Sequence, residues 1–357
     1  MAKKKRTTLP KDFENLMRQG AALSTLKQVF EKCEIDARDS SQQTALIMPS
    51  CSDELARWLV SQGADVKAVD RYGNNALHLA AGQRWKPRNP VLLIEFGCDV
   101  NARRKSSGDT PLHAAANGKN LPVLGCLIAA GAQVDAVNLE GLTPLELSLR
   151  GCANIDIGDM VLVARALLNA GARKTPAMRD FVRRIGKTFE FYRPSFAKDS
   201  VEATSAALLG LCELFGVEPP PRREEHDGKA PIKVEAGPWQ RQFDQLWEAL
   251  VPAHGAAATV QGEVIRISGR ISSELYRNGG ANWDSNYSKM ARSFLIYVSG
   301  GQPIDTEDLQ EAKAILDQMV KRKGNGNHAH ERISELAVEW VRRNPKPGKL
   351  VEVPYKI

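Results

Sequence analysis

The sequence predicts an all-α chain, a solenoid of stacked helix pairs followed by a separate C-terminal helical bundle. Three observations carry this prediction. The segment Gly108-Asp-Thr-Pro-Leu-His113 recurs upstream as Gly73-Asn-Asn-Ala-Leu-His78 and downstream as Gly141-Leu-Thr-Pro-Leu-Glu146, with Leu77, Leu112 and Leu145 spaced 35 and 33 residues apart. Gly63-Ala-Asp65, Gly97-Cys-Asp99, Gly131-Ala-Gln133 and Gly171-Ala-Arg173 keep the same beat. After Ala172 the repeat ends, and beyond the prolines Pro219 to Pro221 apolar residues return at helical three- and four-residue steps. A unit of about 33 residues cannot bury its apolar face alone, so such units must stack.

In chain order, residues 1–10 open with Lys3, Lys4, Lys5 and Arg6 and read as a disordered basic tail. Asp12 to Phe30 reads as two short helices around Gly20. With Cys33 to Asp39 they make an N-terminal capping unit, since end repeats need a polar outer face. Four repeats follow, over 43–69, 70–102, 103–137 and 138–173. In each, the local chemistry fits a helix start and stop. Thr110 caps the first helix with its hydroxyl, and Pro111 follows where a helical amide has no partner to lose. Leu121 to Leu127 forms the second helix, and Gly131 supplies a left-handed stop. The first repeat, with Thr44-Ala-Leu-Ile47, lacks the Pro and His. The fourth carries Glu146 in place of His and an insertion around 151–159, which predicts an extra loop between its helices. Helices over Ala177–Ile185 and Val201–Phe215 close the stack, so the solenoid with its caps spans 11–215.

A period of about 33 with Thr-Pro-Leu-His at its centre resembles the ankyrin-repeat family over about residues 33–173. The resemblance implies a β-turn finger and two antiparallel helices per unit, and a protein partner held on the concave side by finger tips and first helices. Carried onto matching positions, the expected partner-binding residues are Arg71, Tyr72, Asn74 and Gln83, with Gly82 beside them. In the third repeat they are Arg104, Lys105, Asp109 and Asn117, with Ser106 and Gly118. In the fourth they are Glu140, with Leu139 and Leu142. Tyr72 is the expected anchor, and Arg71, Arg104 and Lys105 are the electrostatic guides. The third finger is one residue longer than the second, which leaves its register open. His78 and His113 match the family's structural His, which bonds backbone between repeats.

Residues 216–237 are proline-rich, charged and without periodicity, and predict an exposed semi-rigid linker. Residues 238–357 predict a helical domain of no recognised family. Its helices run over Trp239–Leu250, Thr259–Arg277, Tyr287–Val298 with Asp284 as N-cap, Thr306–Val320 and Ala329–Arg343. Gly279-Gly280, Gly300-Gly301 and Gly324-Asn-Gly326 separate them.

Composition bounds the function. Apolar and charged fractions of 43% and 25% are those of soluble globular chains. No apolar run reaches the roughly 18 residues of a membrane span, and the start lacks a secretory h-region. Six cysteines without a Cys-x-x-Cys pair fit a reducing cytoplasm and give zinc no support. The net charge of +7 gathers in the tail and in 173–198, where eight basic residues face two acidic ones. Such a stretch attracts an acidic partner or a phosphate backbone.

Three features of the second half invite chemistry. Glu263, Arg266, Arg270, Glu274 and Arg277 form a polar stripe on one helix, which pairs opposite charges and reads first as a wet face. The adjoining loop holds Trp283, Asp284 and Tyr287, which together with Glu263, Arg266 and Arg270 make a second candidate site. His328 and His330 stand at i,i+2, on different helix faces, unlike a zinc pair. No nucleophile elbow, P-loop or dinucleotide fingerprint is present. The sequence therefore predicts a cytoplasmic protein-binding module, of stoichiometric inhibitor, immunity-type or adaptor character, monomeric when free and without metal or cofactor. Two alternatives stand beside it. One is an enzyme with its site in the C-terminal domain. The other is a nucleic-acid binder working through 173–198.

Overall fold

A computed structural model describes residues 4–83, 88–279, 281–320 and 329–356. The histidine pair at 328 and 330 lies outside what is described, since residue 328 and the side chain of residue 330 are not covered. The chain divides into two compact units. One comprises residues 1–189 and 197–220, the other residues 190–196 and 221–357.

The first unit begins with a strand, β1 (Arg6–Thr8), paired in parallel with β2 (Cys33–Arg38). For residues 4–10 this corrects the reading of a disordered tail. Lys5 Nζ donates to the carbonyl of Phe30 at 2.7 Å, and Leu9 is buried, so the described part of the tail is fixed by backbone pairing and one core side chain. The pairing also makes Cys33–Arg38 of the capping unit a strand. Between the strands lie α1 (Phe13–Arg18) and α2 (Leu23–Lys32), turned at Gly20 with φ +74°. Phe13 meets Phe30 edge-on at 5.6 Å within the cap's core.

The repeats follow as α3 (Asp53–Ser61), α4 (Ala76–Ala81), α5 (Pro90–Glu95), α6 (Pro111–Asn117), α7 (Leu121–Ala129), α8 (Pro144–Arg150) and α9 (Ile157–Asn169). First helices α4, α6 and α8 pack in a row, and second helices α5, α7 and α9 in another. The first repeat has no first helix. Thr44 to Ser50 runs as turns, because Pro49 offers no amide and disfavours helical backbone at the residue before it. Leu46, Ile47 and Met48 nevertheless fill the core at about 1% exposure or less. The insertion in the fourth repeat is a 3-10 turn at Asn154–Asp156. Next come α10 (Pro176–Tyr192), whose last turn falls in the second unit, and α11 (Lys198–Phe215), which packs on α9 and stops at Gly216 with φ +60°. Cys33, Cys51, Cys98 and Cys212 are buried. Burial pushes the thiols of Cys51, Cys98 and Cys152 up to about 11.

The second unit is a bundle of α12 (Trp239–Leu250), α13 (Val260–Asn278), α14 (Ser285–Val298), α15 (Thr306–Val320) and α16 (Ala329–Arg343). Helix α13 is the hub, packed against α12, α14 and α16. The tail after α16 is stitched across the start of α13. Gln261 Nε2 donates to the carbonyls of Asn344 and Lys346 at 2.9 and 2.8 Å, and its Oε1 accepts from Gly348 N at 2.9 Å. The proline-rich segment is irregular, as composition predicts, yet it is no free spacer. Arg223 stacks over the Phe191 ring at 4.1 Å and donates to the carbonyls of Glu248 and Val251. Ile232 is buried in the bundle core. Val234 packs against the same core, and the amides of His226 and Ile232 donate to the carbonyls of Ala249 and Pro345, so the coil is pinned at several points.

Candidate functional site

The first, second and fourth fingers are each a turn built by one short acceptor side chain. Asp70 Oδ1 accepts from the amides of Tyr72 and Asn74, both at 2.8 Å, and Gly73 takes φ +83°. Asn138 does the same for Glu140 and Leu142 at 3.0 Å, with Gly141 at φ +76°. In the first finger Asp39 serves Ser41 and Gln43. The third finger departs, as its extra residue foretells. Arg104 N donates to Asp109 O, and Gly108 N donates back to Arg104 O, closing a wider loop.

The fingers are tied into a ladder. Arg71 N donates to Ser41 O, and its guanidinium to Ser40 O. Arg38 reaches Val69 O at 2.7 Å, and Arg103 reaches Val137 O. Leu139 N donates to Ser107 O at 2.8 Å, and Ser106 Oγ to Tyr72 O at 3.4 Å. Glycine lets the rungs approach. A Cβ on Gly73 would fall 2.5 Å from Lys105 N, and one on Gly108 2.9 Å from Leu139 N. The tips that result carry Tyr72 at 56% exposure and Leu139 at 71%, with Lys105 and Ser106 on the finger between them.

Behind the tips, the helix caps lock each unit to the next. Thr110 Oγ1 accepts from His113 N, His113 Nδ1 faces Thr110 N at 3.1 Å, and Nε2 lies 3.0 Å from Leu142 O in the following unit. His78 repeats this with Asn75 and with Asp109 O at 3.0 Å. Burial lowers the His78 pKa to about 4 and lowers that of His113 as well, so both rings are neutral at pH 7. Glu146 performs the His role with a carboxylate. It accepts from Thr143 N at 2.9 Å and from Thr175 Oγ1 at 2.6 Å.

A family model described as ankyrin repeats in many copies matches residues 43–84, and one described as ankyrin repeat matches 107–139. Residues 43–139 are an ankyrin-repeat segment. Similar curated proteins include the nuclear factor NF-kappa-B p105 subunits of Gallus gallus, 31% identical over 152 residues, and of Mus musculus, 30% over 122. These matches cover 32% and 24% of this chain and 16% and 13% of the relatives. Protein fem-1 homolog CG6966 of Drosophila melanogaster is 35% identical over 109 residues, covering 28% of this chain and 16% of that protein. The chain thus spans less than a fifth of the length of these relatives. The ankyrin-repeat segment is a protein-interaction module, and no helix among the described residues is long and apolar enough to cross a membrane.

Among the residues expected at the ankyrin face, Arg71, Tyr72, Lys105, Asn117 and Glu140 are exposed. Glu140 is paired with Arg150 of α8. Asn74, Asp109 and Arg104 are used internally. Asn74 is buried on Asp70, Asp109 accepts from Asn138 Nδ2 at 2.9 Å, and Arg104 lies 3.6 Å from Asp109. Gln83 is half-buried, and its carbonyl accepts from Asn120 at 2.7 Å. Leu139, the most exposed apolar side chain of the fingers, gave only its position in the repeat as a signal. Many of the basic groups in 173–198 have internal partners. Arg173 pairs with Asp135, Arg183 with Asp180 and Arg193 with Glu190, while Arg179 and Arg184 donate to carbonyls.

The second candidate site separates into two places. Glu263 is fully buried and accepts from Arg266, from the Tyr355 hydroxyl and from Ala257 N at 3.0 Å. Burial alone would raise its pKa, but the hydrogen bonds from Arg266 and Tyr355 outweigh it and hold the carboxyl below the ordinary range. The stripe is therefore not a wet face, for Glu263, Arg266 and Glu274 are buried and Arg270 alone of its described side chains is exposed. Trp283 is a core residue, stacked on Tyr287 at 5.3 Å with its Nε1 donating to Ser288 Oγ at 3.2 Å. Asp284 caps α14, accepting from Asn286 N and Tyr287 N. These partners explain the loop without a ligand. The acidic trio Asp305, Asp308 and Glu339, whose oxygens lie within 4.8 Å of one another, is already bound by Arg332 and Arg343.

Proposed function

We propose that the chain works by holding a protein partner on its ankyrin fingers, as a stoichiometric binder of inhibitor or adaptor type. The observation that carries this reading is the ladder, which presents Tyr72 and Leu139 on fingers fixed by hydrogen bonds to their neighbours. Large apolar side chains on pre-ordered backbone lose little entropy on binding and serve as anchors. Lys105 lies on the intervening finger, and the guanidiniums of Arg38, Arg71 and Arg103 are held on backbone carbonyls, which leaves their charge uncancelled. The fitting partner surface is apolar with an acidic surround.

The test places a photo-crosslinking residue at position 72, at position 139 and, as a control, at the exposed Leu162 of α9. Cross-links to one protein from 72 and 139, competed by the unlabelled chain and absent from 162, support the reading. Equal labelling from 162, or labelling unchanged by a Lys105→Glu substitution, counts against it.

A further inference from the structure

The helical unit contains a cleft of about 750 Å³ that involves both α12 and α13. That volume is in the range of small-molecule sites. Its apolar wall is aromatic. Trp247 lies 6.0 Å from Phe243 and 6.4 Å from Phe191, nearly parallel to the latter. The wall is set before any ligand arrives. Arg223 holds Phe191 from one side, and Trp247 rests on Gly269 so closely that a Cβ there would come within 2.2 Å of the ring. A glycine in mid-helix costs about 1 kcal/mol relative to alanine, and here it admits the indole.

Two opposite charges line the same cleft. Asp244 stands one turn before Trp247 on α12, and Arg270 follows Gly269 on α13. Both are exposed, and among the described residues neither makes a hydrogen bond or ion pair with any group. Arg266, which also lines the cleft, is by contrast bound to Glu263. An aromatic wall edged by one unpaired cation and one unpaired carboxylate matches a ring that carries both charges.

We propose that this cleft binds an aromatic amino acid, with its ring against Phe243 and Trp247, its carboxylate on Arg270 and its ammonium on Asp244. The guanidinium fork suits a carboxylate. A polyanion such as nucleic acid would meet Asp244, and a simple cation would meet Arg270. This site is separate from the ankyrin fingers and does not depend on their role.

Calorimetric titration of the full chain with L-phenylalanine tests it, against phenylacetate, which lacks the ammonium and one carbon, phenethylamine, which lacks the carboxylate, and L-leucine, which lacks the ring. Phenylalanine is expected to bind roughly tenfold or more tightly than each of the three, the worth of a charged hydrogen bond or of the ring contact. Arg270→Gln is expected to weaken phenylalanine about tenfold and leave phenethylamine unchanged, and Asp244→Asn to weaken it while leaving phenylacetate unchanged. Both positions are exposed, so the variants should fold, as circular dichroism would verify. No heat with phenylalanine up to about 10 mM overturns the proposal. So does phenylacetate binding as tightly as phenylalanine, or a phenylalanine affinity indifferent to both substitutions.

Discussion

The Nε2 of His113 lies 3.0 Å from the carbonyl oxygen of Leu142, so one imidazole joins the cap of its own helix to the finger of the next unit. His78 makes the same join to Asp109 at 3.0 Å.

These joins set a pH dependence. The folded pKa of His78 is depressed to about 4 from 6.5, so between those values the unfolded chain binds a proton that the folded chain does not. Stability therefore rises with pH across this window and is lost as pH falls from about 6.5 towards 4. For His78 the full loss is about 3 kcal/mol. His113 shifts the same way. Thermal melts between pH 7.5 and 4.5 should show a falling melting temperature, and the slope should lessen in His78→Asn. A slope unchanged by that substitution would sink the assignment.

Gly73 and Gly141 separate backbone strain from finger contact. Both take positive φ, but only Gly73 has Lys105 backbone where a Cβ would go. Gly141→Ala is expected to cost about 1 kcal/mol, the penalty of a left-handed alanine. Gly73→Ala should cost about 1–3 kcal/mol more, because the neighbouring finger must shift. Denaturant titration of the two variants measures the difference, and equal costs would mean the rungs yield freely.

Glu263 tests the bundle. Glu263→Ala leaves Arg266 buried without its carboxylate and is expected to cost about 3–5 kcal/mol, while Tyr355→Phe removes one charged hydrogen bond and should cost about 1.5–3 kcal/mol. Four of the six tryptophans lie beyond residue 238, so indole fluorescence during denaturation reports chiefly on this unit. A Tyr355→Phe variant as stable as the parent would show that the tail hydroxyl contributes nothing.

Arg223 tests the coil. Arg223→Ala should release the segment it pins, and cleavage by a glutamate-specific protease at Glu224 or Glu225 should then quicken severalfold, in proportion to the population of the opened segment. Unchanged cleavage would mean that Ile232 and the backbone hydrogen bond from His226 to Ala249 hold the coil unaided.

The sequence made visible what local chemistry decides. Thr110, Pro111 and His113 are consecutive parts of one cap, and Gly131 at φ +84° is the stop its position foretells. Helix α12 begins at Trp239 and ends at Leu250 as the spacing predicts. What escaped notice depends on partners far along the chain. Strand β1 exists because β2 lies beside it, and a polar tripeptide gives no sign of that. The polar stripe on α13 looked solvated because the partner that helps bury Glu263 is Tyr355, 92 residues away. Trp283 stands among polar neighbours in sequence, yet its ring belongs to the core. In the fingers the pattern gave the tips but not which polar groups were already engaged, since Asp109 and Asn138 meet only when two repeats stack.

The shifted thiols have a practical consequence for labelling chemistry. With pKa values near 11, Cys51, Cys98 and Cys152 hold almost no thiolate at neutral pH and should react sluggishly with maleimides. A Tyr72→Cys variant would place a solvent-facing nucleophile on the finger tip. A dye could then be attached there in preference to those three native sites, and its quenching would report occupancy of the ladder in real time.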